Sequence, residues 1–323
     1  MRKLIRVNKD MTTRMKYLLS TTFILLSICV YVNGDEVEVG EVKWQRDYKE
    51  ALAESVTSGK PLFMLFQEVP GCSGCQAYGK TVLSHPLLVE AIEDLFEPIL
   101  IYNNRTIKQD NDLLKKFNEP AWNYQVVRFL DQNGKDIIPR KDRVWTVVAT
   151  AKRMVKVLEA QEREVPQYLK DISNTLDEPN VKEALFSMYC FWTGEQKLGS
   201  IEGVLKTEAG FYGGHEVTRV WYDSKQLKLD QLMAKAQKFK CADEMYISKI
   251  DRATLGKTRL LIFELDLKKY SKAPVSDQKK QVSRNYKTLR LTDYQLTKVN
   301  SWCRINEAKA KSYLSPRQLS QLK

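Results

Sequence analysis

Histidine is almost absent from this chain. His85 and His215 are the two among 323 residues, too few and too separated to hold a metal through imidazole. Cysteine is sparse as well, and its pattern excludes two classes of protein. Cys29, Cys72, Cys75, Cys190, Cys241 and Cys303 lack the dense spacing of a disulfide-stapled miniature domain. Structural zinc sites usually pair two close cysteine knuckles, and only one knuckle, Cys72-Ser-Gly-Cys75, is present. Neither a metal nor a cofactor is expected, and redox chemistry becomes the starting point. A dense basic block is also missing. The formal charge is +12, but residues 1–34 carry six lysines and arginines against one aspartate, so removing them leaves +7, thinly spread. A nucleic-acid partner would need clustered Arg and Lys interleaved with aromatics, so none is expected.

What is present supports real cores. Hydrophobic residues make up 43% of the chain and aromatics 10%, and its length predicts two domains. At the N-terminus the basic segment MRKLIRVNKDMTTRMK precedes the mostly apolar run YLLSTTFILLSICVYV, then Asn33-Gly34 and an acidic stretch. A basic start, an apolar core and small boundary residues describe a secretory signal peptide over residues 1–34, cleaved after Gly34. Left uncleaved, the same segment would be a membrane anchor, and membrane contact is expected only in that case. Either way the chain is expected to be secreted or to work in a periplasmic or lumenal, oxidising compartment. In a eukaryote, Asn104-Arg105-Thr106 would be a glycosylation sequon.

From residue 40 the pattern alternates. Residues 41–46 read as a strand, 48–58 as a helix, and 61–66 as a continuous apolar strand buried on both faces. The Cys72–Cys75 pair follows, then a long helical pattern through Leu95, a strand at 98–103 and a helix at 110–117. Strands at 125–130 and 135–138 flank the turn Asp131-Gln-Asn-Gly134, and a helix over 149–161 closes the region. A thiol at a helix N-terminus meets the positive end of the macrodipole and unpaired N–H donors, which favours thiolate. This order, with a C-x-x-C between a buried strand and a helix, resembles the thioredoxin family over about residues 40–165, and a domain is expected at 35–170. The resemblance implies an exposed attacker at Cys72 and a buried resolver at Cys75, together a redox disulfide. Three positions depart from the family. Gly71 replaces the tryptophan before the first cysteine, Phe66 replaces a buried acid, and Gln125 is not the proline expected there.

Residues 171–181 are polar, contain a proline and have no period, so they read as a linker. The remainder, 182–323, forms the second expected domain. Residues 182–191 read as a strand, Leu198, Ile201, Val204 and Leu205 recur at helical spacing, and 217–222 read as a second strand. The unit is strand, helix, strand, with Cys190 on the first strand-to-helix turn. Residues 226–239 read as a further helix and 250–323 as a mixed, basic, partly helical tail.

Cys190-Phe191-Trp192 with Gly194 and Glu195, then Gly203-Val204, Gly210, Gly213-Gly214, Glu216 and Tyr222-Asp223, resemble the peptide methionine sulfoxide reductase A family. The resemblance implies a ferredoxin-like α+β domain of that type, after an α/β thioredoxin-like one. It implies that Cys190 attacks the sulfoxide sulfur, releasing methionine from a free or protein-bound methionine S-sulfoxide. Phe191 and Trp192 would hold the substrate's S-methyl group, with Tyr212 beside them, since an apolar aromatic wall suits a thioether methyl. Glu216 would hand a proton to the leaving oxygen. The family's loop between the glycine pair and the glutamate is absent, because His215 and Glu216 follow Gly214 directly. Tyr189 and Thr193 stand where the family has glycines, and Phe211 where it has tyrosine.

A sulfenic acid on Cys190 must be resolved by a second thiol. Cys241, after the 226–239 helix, is preferred, and Cys303 is the alternative. The Cys72–Cys75 pair would then reduce the resulting disulfide, helped by an effective concentration in about the millimolar range for a short tether. An external thiol or disulfide donor would recharge it. Two other readings stand beside this one: a secreted thiol–disulfide oxidoreductase, and a non-catalytic binding protein built from two degenerate enzyme folds.

Overall fold

The computed structural model describes residues 36–121, 125–172 and 180–322. The expected leader at 1–34, and residues 173–179 of the expected linker, lie outside them. Among the described residues no helix is long and apolar enough to cross a membrane.

The first lobe begins with α1 (Tyr48–Ser58), whose Asp47 cap accepts from the N–H groups of Lys49 and Glu50 at 2.8 and 3.1 Å. Strand β1 (Leu62–Gln67) is buried at every position. Its alternation sends Phe63 and Leu65 into one apolar cluster and Leu62, Met64 and Phe66 into another, so both faces are covered. Helices α2 (Ser73–Thr81) and α3 (Pro86–Leu95) follow, split where Pro86 starts a new helix. Then come β2 (Glu97–Tyr102), α4 (Lys108–Lys116), β3 (Gln125–Leu130), β4 (Lys141–Asp142), α5 (Val147–Ala160) and α6 (Gln167–Asp171). The sheet order is β2-β1-β3-β4, with β1 parallel to β2 and antiparallel to β3. Two expected strands shrink to bridges. The 41–46 segment keeps only bridge residues at Trp44 and Gln45, the latter paired with Ile99, because the capped start of α1 cuts it short. The 135–138 segment pairs only at Leu130–Asp136, since Pro139 lacks the N–H to extend the ladder.

The second lobe runs β5 (Val181–Ser187), α7 (Phe191–Gly199), β6 (Val204–Tyr212), β7 (His215–Asp223), α8 (Leu229–Lys238), β8 (Glu244–Ile247). Its core order β6-β7-β5-β8 is antiparallel throughout, the ferredoxin-like arrangement. One element differs from expectation. Val204 and Leu205 continue the helical spacing of Leu198 and Ile201, yet they open strand β6. Gly203, at φ +85°, ends the helical stretch, and its turn packs tightly against Leu227. The strand–helix–strand unit is therefore a strand, a helix and a hairpin turned at Gly213-Gly214.

The tail is structural rather than appended. After α9 (Lys249–Thr254), strand β9 (Leu261–Glu264) pairs in parallel with β8, and β10 (Tyr270–Lys272) pairs antiparallel with β6. Both edges of the four-stranded core are thereby covered, with β10 and β9 as the outer strands. Helix α10 (Asp293–Trp302) packs on α7, and the buried Lys298 amine donates to the carbonyls of Gly199 and Ile201 at 2.9 and 2.8 Å. It satisfies acceptors that the end of α7 would otherwise leave unpaired. After α11 (Glu307–Lys311), α12 (Pro316–Gln321) reaches the first lobe, where Arg317 pairs with Glu93 at 2.7 Å and also grips Asp94 on α3.

Candidate active site

Two cysteines occupy equivalent places, each as the N-cap of a helix that follows a strand. In the first lobe Cys72 caps α2 and is exposed, while Cys75 is buried one turn in. Their sulfurs are 3.6 Å apart, too far for a disulfide bond. The Cys75 backbone N–H, then its side chain and the Gly74 N–H, hold the Cys72 thiol below its usual range against a smaller opposing effect of burial. Burial pushes the Cys75 thiol up to about 12. The arrangement pairs an exposed thiol biased toward thiolate with a buried partner biased toward the protonated form. On the other side of the turn, the Gly71 N–H donates to Glu38 at 2.8 Å, and Glu68 stands beside both sulfurs.

In the second lobe the half-buried Cys190 caps α7. The next residue's N–H, that of Phe191, donates to Glu216 Oε2 at 2.8 Å. Glu216 therefore reaches the α7 N-terminus from β7, twenty-five residues away. Helix and sheet touch closely here: a Cβ on Gly194 would lie 2.2 Å from both Met188 Sδ and Thr218 Oγ1. Phe191 packs against Trp192 and Phe211 with ring centres 5.9 and 5.6 Å apart. The Trp192 indole N–H is buried without a hydrogen-bond partner among the described residues. Cys190, Phe191, Trp192 and Glu216 are brought together.

Tyr212 is not. Strand alternation puts Phe211 on the helix-covered face and Tyr212 on the other, where its ring packs on Tyr246 with centres 4.2 Å apart. Its hydroxyl accepts from the Asp266 N–H at 3.1 Å. Tyr212 is a sheet-face residue, and Phe211 is the aromatic that β6 supplies to the Cys190 side.

Of the two possible resolving thiols, Cys241 is buried behind α8, its Sγ donating to the Phe239 carbonyl at 3.5 Å. Burial chiefly raises this thiol, and Cys190 is among the groups adding to the rise, so the two lie within electrostatic reach. Cys303 sits at the end of α10 with Sγ 3.0 Å from the Gln281 carbonyl.

The tail supplies residues that sequence reasoning missed. Ala273 enters the Phe191 cluster, Gln278 brackets the Ala209 backbone, and the Lys280 amine stands 5.0 Å over the Trp192 ring. This strap is fastened by Glu195, fully buried, which accepts from the Lys279 N–H at 2.7 Å and pairs with its amine at 2.5 Å. The partners are eighty-four residues apart, and no local pattern announces such a pair. A separate cavity of about 480 Å³ lies at the seam of the lobes, against His85, Tyr168, Arg290 and Tyr294. No cysteine lines it, so it belongs to the seam and not to the thiol chemistry.

A thioredoxin-like family model matches residues 43–113. The peptide methionine sulfoxide reductase MsrA of Methanococcus maripaludis strain C7 is 34% identical over 71 aligned positions, 17% of this chain and 45% of that one. Its strain C6 counterpart is 35% identical over the same shares, and that of strain C5 is 49% identical over 35 positions, 11% of this chain and 22% of that one. The chain thus spans less than half the length of these curated relatives. A solved structure titled DsbH oxidoreductase aligns over 40% of this chain and 90% of its own at 17% identity, with a TM-score of 0.31, too low to carry an argument. The chain combines a thioredoxin-like region bearing a C-x-x-C with a part that resembles MsrA, and thiol-based oxidoreductase chemistry is the class this supports.

Proposed function

We propose that the protein reduces methionine S-sulfoxide, free or in proteins, at Cys190 and draws its electrons from the Cys72–Cys75 dithiol. The observation that carries this reading is the Phe191 N–H bond to Glu216, which sets a carboxyl beside a helix-capping cysteine and an aromatic wall. The Cys190 thiolate attacks the sulfoxide sulfur, the S–O oxygen takes a proton from Glu216 and passes to Cys190 as sulfenic acid, and methionine leaves. Cys241 then displaces water from the sulfenic acid, giving a Cys190–Cys241 disulfide. Cys72 attacks that disulfide and Cys75 resolves the mixed disulfide, returning both second-lobe thiols and leaving Cys72–Cys75 oxidised. An external thiol donor, in an oxidising compartment, completes the cycle.

Cys190→Ser tests the reading with stereochemically defined methionine sulfoxide and an external dithiol. Turnover at the wild-type rate in that variant would sink it. A second reading, thiol–disulfide exchange with a second lobe that only binds, draws on the exposure of Cys72. It gains if Cys190→Ser is silent while Cys72→Ser abolishes disulfide reduction.

A further inference from the structure

We propose that the reduced Cys72–Cys75 pair and Glu68 together form a binding site for a borderline-soft divalent cation, with zinc the best match. The sequence shows one cysteine knuckle, half of a structural zinc site, and the fold supplies the donor that spacing alone does not reveal. Glu68 is the first residue after β1, and the turn it opens is tight: a Cβ on Gly71 would lie 2.4 Å from the Glu68 carbonyl oxygen. That turn folds the Glu68 carboxylate back beside the start of α2, where one of its oxygens and the two sulfurs all lie within 4.8 Å of one another.

The spacing fits a tetrahedral ion. Two thiolates about 2.3 Å from zinc at the tetrahedral angle sit about 3.8 Å apart. The two sulfurs are 3.6 Å apart before any ion arrives. Among the described residues the Glu68 carboxylate makes no hydrogen bond or ion pair that coordination would have to break. Cys72 is exposed, so the fourth position opens outward to water or to an external donor. Two thiolates and a carboxylate outweigh the charge of a divalent ion by one, and the positive N-terminus of α2 offsets part of that excess. Binding releases the thiol protons to solvent and moves no electrons. While the ion is held, the sulfur lone pairs that would attack a disulfide are engaged, so metal and disulfide substrate compete for the same pair.

The experiment uses the full chain, reduced, with zinc delivered against a chromophoric chelator and cobalt as the optical probe. One equivalent should bind per chain, and cobalt should show a thiolate charge-transfer band. Cys72→Ser, chosen because Cys72 is exposed and Cys75 is core, should abolish both. Glu68→Gln should weaken zinc at least about tenfold, the lower end of what loss of an outer-shell partner alone costs, while both thiols still react with a thiol reagent after denaturation. Undiminished zinc binding in Cys72→Ser would place the ion elsewhere, and unchanged affinity in Glu68→Gln would reduce the site to two sulfurs. Either result overturns the proposal. Sulfoxide turnover is not the readout, so the result stands apart from the proposed reaction.

Discussion

The N-termini of α2 and α7 are built alike and finished differently. Each follows a strand and is capped by a cysteine. At α2 the N–H groups serve the capping sulfur itself, and a second cysteine stands one turn on. At α7 the corresponding position is Thr193, and the first N–H is given to a carboxylate from the neighbouring strand. Under the proposed function, one helix start serves dithiol exchange and the other a reaction in which an oxygen leaves with a proton. The same local electrostatics would then serve two chemistries, because the third participant differs.

Removing each cap thiol breaks the comparison most sharply. Cys190→Ser should lower sulfoxide reduction with external dithiol on the order of a thousandfold or more, as loss of a covalent nucleophile does. Reduction of a disulfide substrate through Cys72 should persist in the same preparation. If both activities fall together, the two helix starts are not separate centres.

The next contrast lies inside α2. Cys72 is held below the usual thiol range and Cys75 pushed up to about 12, chiefly by burial. Each unit of difference is a factor of ten in the equilibrium, so at pH 8 thiolate at Cys72 should far exceed that at Cys75. The sign is that of an acid: alkylation of Cys72 by iodoacetamide should rise through a pH below that of a free thiol and then level off. Peptide mapping that finds Cys75 modified first would reverse the assignment of attacker and resolver.

Glu216→Gln isolates what α7 has and α2 lacks. Glutamine keeps an oxygen to accept the Phe191 N–H and loses only the transferable proton. The kcat for sulfoxide should fall by on the order of a hundredfold, the lower end for a general acid. An unchanged rate would leave Glu216 as a cap and nothing more.

Much of this was legible in the chain because it is local. The apolar run at 61–66 and the cysteine pair after it place a buried strand before a capped helix, and they lie there. Cys190, Phe191 and Trp192 share one turn, so their order alone sets them together. Tyr212 illustrates what was lost. With Val204 and Leu205 read as helix, β6 had no strand parity, and parity decides that Phe211 and not Tyr212 faces the Cys190 side. The Lys279–Glu195 pair and the Glu68 carboxylate depend on how distant segments or a tight turn fold back, and no periodicity encodes either.

The smallest expected effect concerns how firmly each helix is seated, and it too sets the two regions against each other. Both helices carry a glycine where they touch their support. A Cβ on Gly79 of α2 would lie 1.9 Å from the Val37 carbonyl oxygen and 2.7 Å from the Glu38 carbonyl carbon, all backbone. A Cβ on Gly194 of α7 would meet the Met188 thioether and the Thr218 hydroxyl, which are side chains. Backbone can yield only by moving the 37–39 turn, whereas a methionine can change rotamer. Overpacking of this kind costs about 1–3 kcal/mol, so Gly79→Ala should fall at or above the upper end and Gly194→Ala near the lower, by denaturant unfolding of the full chain. The gain of a methyl at Gly194 also presses on Thr218, whose hydroxyl donates to the Phe191 carbonyl at 3.3 Å. Gly194→Ala should therefore disturb sulfoxide reduction more than its small stability cost implies, and Gly79→Ala the reverse. Equal stability losses from the two substitutions would mean that both contacts relax alike, and that the seating of α7 is no softer than that of α2.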